Sequence, residues 1–163
     1  MVPIIFFVLA VGLPAAAEGL IMAGHLGGPH LPEMRWQGYS PDRLHDFLDR
    51  LGPSGRPWYA WFQVADLFLI AGLAGTMVAI DRWGLGRLQA TGAVRFIVWL
   101  PVAYAILDLA EDLVLLRLIA RFGHPFGWLS RAASGTTISK FLLLVAAVLT
   151  SAGVAFRALT AHQ

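Results

Sequence analysis

Five carboxyl side chains and one lysine lie inside stretches of sequence that are otherwise apolar. They are Glu18, Asp66, Asp108, Glu111, Asp112 and Lys140. An acidic side chain at the centre of a bilayer costs about 2.5–3.5 kcal/mol on insertion scales, so such groups are protonated, paired or bound to something. Carboxylates bind hard cations and protons, and one lysine neutralises only one or two of them. The residue types therefore predict a site for a positively charged ligand within a membrane.

The stretches that carry these acids are long enough to cross a membrane. Of the 163 residues 58% are hydrophobic and 13% charged, whereas a soluble domain carries about 25% charged residues. At a rise of about 1.5 Å per residue, roughly 20 apolar residues cross a hydrocarbon core about 30 Å thick. We therefore predict an all-α fold: a four-transmembrane-helix bundle, forming a single integral membrane domain over 1–163. The predicted spans are about 2–23, 58–80, 96–120 and 138–158.

The first span resembles a secretion signal in one respect. Residues 14–17, Pro-Ala-Ala-Ala, resemble a signal-peptidase site, but no Lys or Arg precedes Arg35. A signal peptide begins with a basic region. We therefore expect an uncleaved helix at this position.

The long first loop, 24–57, carries its own helix signals. Ser40 and Pro41 are typical of an N-cap and a first helical residue, and Gly52 is typical of a helix end. Between them, apolar residues recur at helical spacing: Leu44, Phe47, Leu48 and Leu51. The pattern predicts a short amphipathic helix that caps the bundle, with Tyr39, Ser40 and Arg56 as the residues of this cap.

Chain direction and helical rotation bring the acids together. The first and third helices end on the side of the long loop, and the second and fourth begin there, so most of the acids fall in one leaflet half. At about 100° per residue, the acids of the third helix share one face with Tyr104, and Asp66 shares a face with Tyr59 and Gln63. The predicted ligand-binding residues are Glu18, Tyr59, Gln63, Asp66, Tyr104, Asp108, Glu111, Asp112 and Lys140. If the ligand is a metal ion, Asp108 and Asp112, at i and i+4, are its predicted ligands.

Several short patterns resemble a poorly characterised family of bacterial four-helix integral membrane proteins. They are Gly38-Tyr39-Ser40, Leu51-Gly52 with Gly55-Arg56, Tyr59 with Asp66, Asp108 with Glu111, and Thr137 with Lys140. The chain departs from the family pattern at Asp42, where Glu is usual, and at Asp112, where Asn is usual. The resemblance implies the topology and the candidate residues, and it implies no activity.

A second resemblance is architectural. The emopamil-binding and sigma-2-receptor-like proteins also have one helix, a long loop and three further helices, with acids in the first two helices around a cationic amphiphile. Glu18, Asp66 and the aromatic run 58–62 are similar in placement. The acidic cluster at 108–112 does not fit that family's pattern.

The sequence leaves three functions open. The first is binding or transport of a cation, a proton or an amine-bearing amphiphile. The second is an accessory or structural subunit of a larger membrane complex or homo-oligomer, with the acids as a structural polar network. The third is a lipid- or sterol-modifying enzyme, although no catalytic residue is assigned and no cofactor is identified.

Other features narrow the function and the compartment. Cysteine is absent, which excludes disulfides and thiolate catalysis, and no basic patch with interleaved aromatics indicates nucleic-acid binding. The predicted partners are therefore the lipid bilayer and the ligand or complex named above.

Arginines are dense in the compact second loop, at Arg82, Arg87 and Arg95. Lys and Arg concentrate on the cytoplasmic side. By density we therefore expect a bacterial inner (cytoplasmic) membrane protein with both termini cytoplasmic, whereas the larger number of arginines on the side of the long loop would place that side in the cytoplasm.

Overall fold

The computed structural model describes residues 11–26, 31, 37–122 and 127–161, with the side chains of all of them except 26, 127–130, 132 and 133. Regular structure within these ranges is entirely helical, which confirms the all-α prediction. Helix α1 covers Leu13–Ile21 and continues as a π-helical turn, Met22–Leu26. Helix α2 covers Pro41–Arg87, α3 covers Trp99–Ala120 after a 3₁₀ segment, Gly92–Val98, and α4 covers Gly127–Thr160.

Three helices in the described ranges are long and apolar enough to cross a membrane. They are Pro41–Arg87, Gly92–Ala120 and Ser134–Thr160. Their outer surfaces expose large apolar side chains such as Leu113, Leu142 and Leu149, which suits contact with lipid tails. The predicted first span, 2–23, lies partly outside the described residues, so the count of four spans stays a prediction.

The predicted cap helix is present at the start of α2. The Ser40 side chain accepts a hydrogen bond from the Arg43 backbone N–H at 3.2 Å, which confirms the N-cap. Gly52 then interrupts the helix with φ 64°, a left-handed value that glycine adopts without steric cost. The resulting bend folds the apolar face of 41–51 onto the bundle, where it buries Leu44, Phe47 and Leu48.

The helices extend further than the apolar spans that predicted them. Helix α4 begins at Gly127 rather than near 138, and α2 continues to Arg87 rather than ending near 80. Hydropathy marks the part of a helix that fits inside the membrane, whereas backbone hydrogen bonding continues until a breaking residue or turn. Asp81, which the sequence placed in the second loop, is consequently a fully buried residue of α2.

Helices α2, α3 and α4 all pack against one another, and α1 packs against α2. An apolar cluster lies in the middle of the three-helix contact, with one buried residue from each helix. These residues are Met77, Tyr104 and Ala147. A larger apolar cluster lies under the cap helix and includes Tyr59, Phe62 and Leu115. The predicted acidic residues lie between these two clusters along α2 and α3.

Candidate functional site

Helix α3 supplies three acids to the interior of the bundle. Asp108, Glu111 and Asp112 are 3%, 0% and 0% exposed. Their spacing of three and four residues places them on one helical face, while Leu109 and Leu113 are exposed on the other side. The rotation predicted from the sequence is therefore correct for this helix.

Lys140 of α4 is the cation that faces these acids. Its Nζ forms ion pairs with Asp108 Oδ1 and with Glu111 Oε2, the second at 2.8 Å. The lysine is itself 6% exposed. Two carboxyl groups thus share one ammonium group, and burial makes this pairing necessary because an isolated buried charge costs several kcal/mol, on the order of the stability of a small protein.

Glu111 is the most connected of the acids. Besides Lys140, its Oε1 accepts a hydrogen bond from the Thr137 hydroxyl and a longer one, at 3.4 Å, from the Tyr39 hydroxyl. The side chain therefore joins α3 to α4 and to the loop that precedes the cap helix. These contacts support a positioning role for Glu111 within the polar cluster.

Gly38 allows the loop to reach α4. It has φ 75°, and a Cβ atom at this position would lie 2.5 Å from Ser134 Oγ. A side chain at this position would displace the Ser134 hydroxyl and would require a left-handed backbone that residues other than glycine rarely adopt. The approach lets the Tyr39 backbone N–H donate to Ser134 Oγ at 2.9 Å, and so directs the Tyr39 ring toward Glu111.

Three carboxylates from two helices meet beside the ion pairs. Asp66 of α2 and Asp108 and Asp112 of α3 each offer one oxygen, and these oxygens lie within 4.8 Å of one another. Asp66 retains partial exposure, and the other two are buried. Neither oxygen of Asp112 has a hydrogen-bond partner among the described residues. The predicted metal-ligand pair of Asp108 and Asp112 thus acquires a third carboxylate from α2.

The remaining predicted residues lie on α1, α2 and α3. Glu18 of α1 lies beside Asp66, and Tyr104 lies beside Asp108. Tyr59 and Gln63 are fully buried on α2, one to two turns before Asp66. The structure therefore places Glu18 and Tyr104 with the acids and Lys140, whereas Tyr59 and Gln63 share only the helix of Asp66; the role of these nine residues in binding a ligand stays a prediction.

The three cap residues have different roles. Tyr39 reaches the acidic region, whereas Ser40 is exposed and serves as the N-cap. Arg56 donates from Nε to the Leu48 carbonyl at 3.0 Å, and its guanidinium lies 3.4 Å from the centre of the Phe122 ring. Arg56 therefore joins the cap helix to the turn after α3, and it forms no hydrogen bond or ion pair with a described carboxylate.

Two polar features were not among the predicted site residues. Thr137 is fully buried against Glu111, and its spacing of three residues from Lys140 could have indicated a shared helical face. Asp81 is buried in the other half of α2, beside Ser151 of α4. Its spacing of four residues from the buried Met77 was the indication that it faces the core.

The site contains more carboxyl groups than basic groups. Five carboxyl side chains meet one ammonium group, and Lys140 is engaged by Asp108 and Glu111. Asp66 and Asp112 form no ion pair with a described cation. An oxygen-rich group of this kind suits a hard metal cation, an ammonium group or protons shared between carboxyls.

Comparisons with known protein families, with characterised proteins and with solved structures find no match to this chain. The two resemblances noted from the sequence therefore stay predictions.

Proposed function

We propose that the protein binds a small cation inside the membrane, between the carboxylates of Asp66, Asp108 and Asp112. The observation that carries the proposal is Asp112, whose carboxylate is fully buried and has no hydrogen-bond partner among the described residues. A buried polar group without a partner costs free energy in the absence of a ligand. A cation seated among the three oxygens removes that cost.

The acids differ in their contacts, and this difference supports the same proposal. Lys140 forms ion pairs with Asp108 and Glu111, and Thr137 adds a donor to Glu111. These contacts join α3 to α4 and leave Asp112 and Asp66 outside the two ion pairs. The partial exposure of Asp66 marks the side from which a cation enters.

The cation can be a metal ion, a proton or the ammonium head of an amphiphile, since all three are recognised by closely spaced carboxylates. We extend this proposal to transport of the cation across the membrane. It is supported by the depth of the site within helices long enough to cross a membrane. We further place the protein in a bacterial inner membrane with cytoplasmic termini, on the arginine density of the second loop.

The test compares wild-type protein with Asp112→Asn, purified in mild detergent. Unfolding is followed against Na⁺, Mg²⁺, Ca²⁺, Mn²⁺ and a primary alkylamine at constant ionic strength. A ligand at about 100 times its Kd stabilises the folded state by about 2.7 kcal/mol. We expect one of these cations to stabilise the wild type saturably, and Asp112→Asn to lose that response while remaining folded.

Asp81→Asn is the matched control, because it makes the same chemical change at another buried aspartate of the bundle. It should keep the cation response. If protons are the ligand, metals and amines have no effect, and the stability difference between wild type and Asp112→Asn varies with pH instead. An identical response of both proteins to every cation and to pH would contradict the proposal. Stoichiometric co-purification of another chain would favour the accessory-subunit alternative.

A further inference from the structure

The end of the bundle opposite the acidic site contains a groove with a volume of about 530 Å³. It lies where α2 ends and the 3₁₀ segment leads into α3. Its polar lining includes Arg82, Gln89, Thr91 and Arg95, and its apolar wall includes Leu85 and Trp99. The groove therefore combines cationic and apolar surfaces at the boundary of two helices that are long enough to cross a membrane.

The two arginines of the groove carry charges that the described part of the chain does not balance. Neither Arg82 nor Arg95 forms an ion pair with a described carboxylate. Asp81, the neighbour of Arg82, is fully buried and lies beside Ser151 of α4. Two exposed guanidinium groups from different elements thus line one concave surface, an arrangement that suits phosphate oxygens.

The turn after α2 fixes the shape of the groove. The Ala90 N–H donates to the Leu85 carbonyl at 3.0 Å, and the Gln89 N–H donates to the Gly86 carbonyl at 3.2 Å. These two bonds define a Schellman motif, in which glycine usually occupies the left-handed position. Here Gln89 occupies it, with φ 48°.

A non-glycine residue with positive φ is uncommon, and such outliers concentrate at binding sites. The side chain of Gln89 lines the groove. The Thr91 hydroxyl, also in the lining, makes no capping hydrogen bond with the 3₁₀ segment. The groove therefore has two neutral hydrogen-bonding side chains, Gln89 and Thr91, beside its two arginines. The backbone of Gln89 has a conformation that glycine would adopt more easily.

The apolar wall indicates the rest of the ligand. Leu85 is buried and Trp99 is 63% exposed. Tryptophan is enriched where a membrane-spanning helix meets the headgroup layer. A ligand that places a phosphate between the arginines can therefore extend an acyl chain along this wall and into the hydrocarbon.

We propose that this groove binds the phosphate headgroup of an anionic phospholipid, with Arg82 and Arg95 on the phosphate and Trp99 beside the upper acyl chain. Basic pockets between membrane helices on the cytoplasmic side bind such headgroups in general. The site is separate from the acidic site and does not depend on its function.

The test measures lipid retention by native mass spectrometry after purification from nanodiscs of equal parts phosphatidylglycerol and phosphatidylcholine. Wild-type protein should retain phosphatidylglycerol preferentially, and the double variant Arg82→Gln/Arg95→Gln should lose at least about tenfold in that preference. Arg157→Gln is the control, since Arg157 is an exposed cation outside the groove, and it should retain the wild-type preference.

A second variant separates binding from folding. Gln89→Gly relieves the left-handed backbone and removes the amide, so it should unfold at a higher temperature yet retain less phosphatidylglycerol. Equal retention by wild type and the double variant would overturn the proposal. Saturable binding of inorganic phosphate without any preference between the two lipids would overturn the assignment to a lipid.

Discussion

Helix α2 carries two aspartates, the partly exposed Asp66 and the buried Asp81, whose surroundings differ. Asp66 lies within 4.8 Å of two other carboxylates, in a cluster that includes Lys140. Asp81, roughly 22 Å further along the helix at about 1.5 Å per residue, is fully buried beside Ser151. Neither of its oxygens has hydrogen-bond geometry with a described donor. An apolar layer that includes Met77 lies between the two regions.

The difference shows two ways in which a membrane bundle accommodates an acid. In the cluster, an ammonium group and two hydroxyls fix the carboxylates at defined positions, so the charges can serve a ligand. At Asp81 the described residues provide no cation, and a charge buried without one is costly. The cluster therefore has carboxyl groups held by defined partners, as the proposed cation site requires, whereas Asp81 is a single polar residue in a packed interface.

The largest expected effect comes from removing the cation of the cluster. Lys140→Met leaves Asp108 and Glu111 without their ammonium partner, and breaking a buried ion pair in this way costs about 3–5 kcal/mol. We expect a loss of this size in the free energy of unfolding, measured by denaturation from mild detergent into SDS.

Arg157→Met is the control for that variant, because it removes an exposed cation from the same helix, and it should cost little. Adding Asp108→Asn and Glu111→Gln to Lys140→Met should restore most of the lost stability, since the uncompensated charges are then gone. A Lys140→Met protein as stable as the wild type would show that the ion pairs contribute nothing.

An intermediate effect is expected when the same type of substitution, aspartate to asparagine, is made separately in the cluster and at Asp81. Asp108→Asn loses an ion pair with Lys140 and should cost about 1.5–3 kcal/mol. Asp81→Asn replaces a carboxylate that has no described ion pair with a neutral amide, and should change stability by less than about 1 kcal/mol. If the two variants lose equal free energy of unfolding in the same denaturation assay, the two regions do not differ in the way described.

Sequence alone predicted much of this arrangement because the cost of intramembrane charge is large. The alternation of helix direction and a rotation of about 100° per residue were enough to place Asp66, Asp108 and Lys140 together. The cap helix followed from Ser40 and Gly52, whose backbone preferences are strong. These are local rules, and local rules are visible in a sequence.

The features that the sequence did not predict depend on contacts between distant segments. The approach of Gly38 to Ser134 and the hydrogen bond from Tyr39 to Glu111 join a loop to two helices, and no local pattern encodes that contact. Asp81 was assigned to a loop because hydropathy falls there, although the helix continues beyond the apolar span. The left-handed backbone conformation of Gln89 was not predicted, because glycine is the residue expected at such a position.

The smallest expected effect tests whether the loop belongs to the cluster. Tyr39→Phe keeps the buried ring and removes a hydroxyl that lies 3.4 Å from Glu111 Oε1, a long hydrogen bond that contributes about 0.5 kcal/mol. We expect a stability loss of that size, because Lys140 and Thr137 still hold Glu111. Ser40→Ala is the control: it removes the N-cap of the cap helix, at about 1 kcal/mol, and should leave the cation response unchanged. If Tyr39→Phe costs more than about 2 kcal/mol, the loop is a principal partner of Glu111, and the cluster depends on the cap as much as on α4.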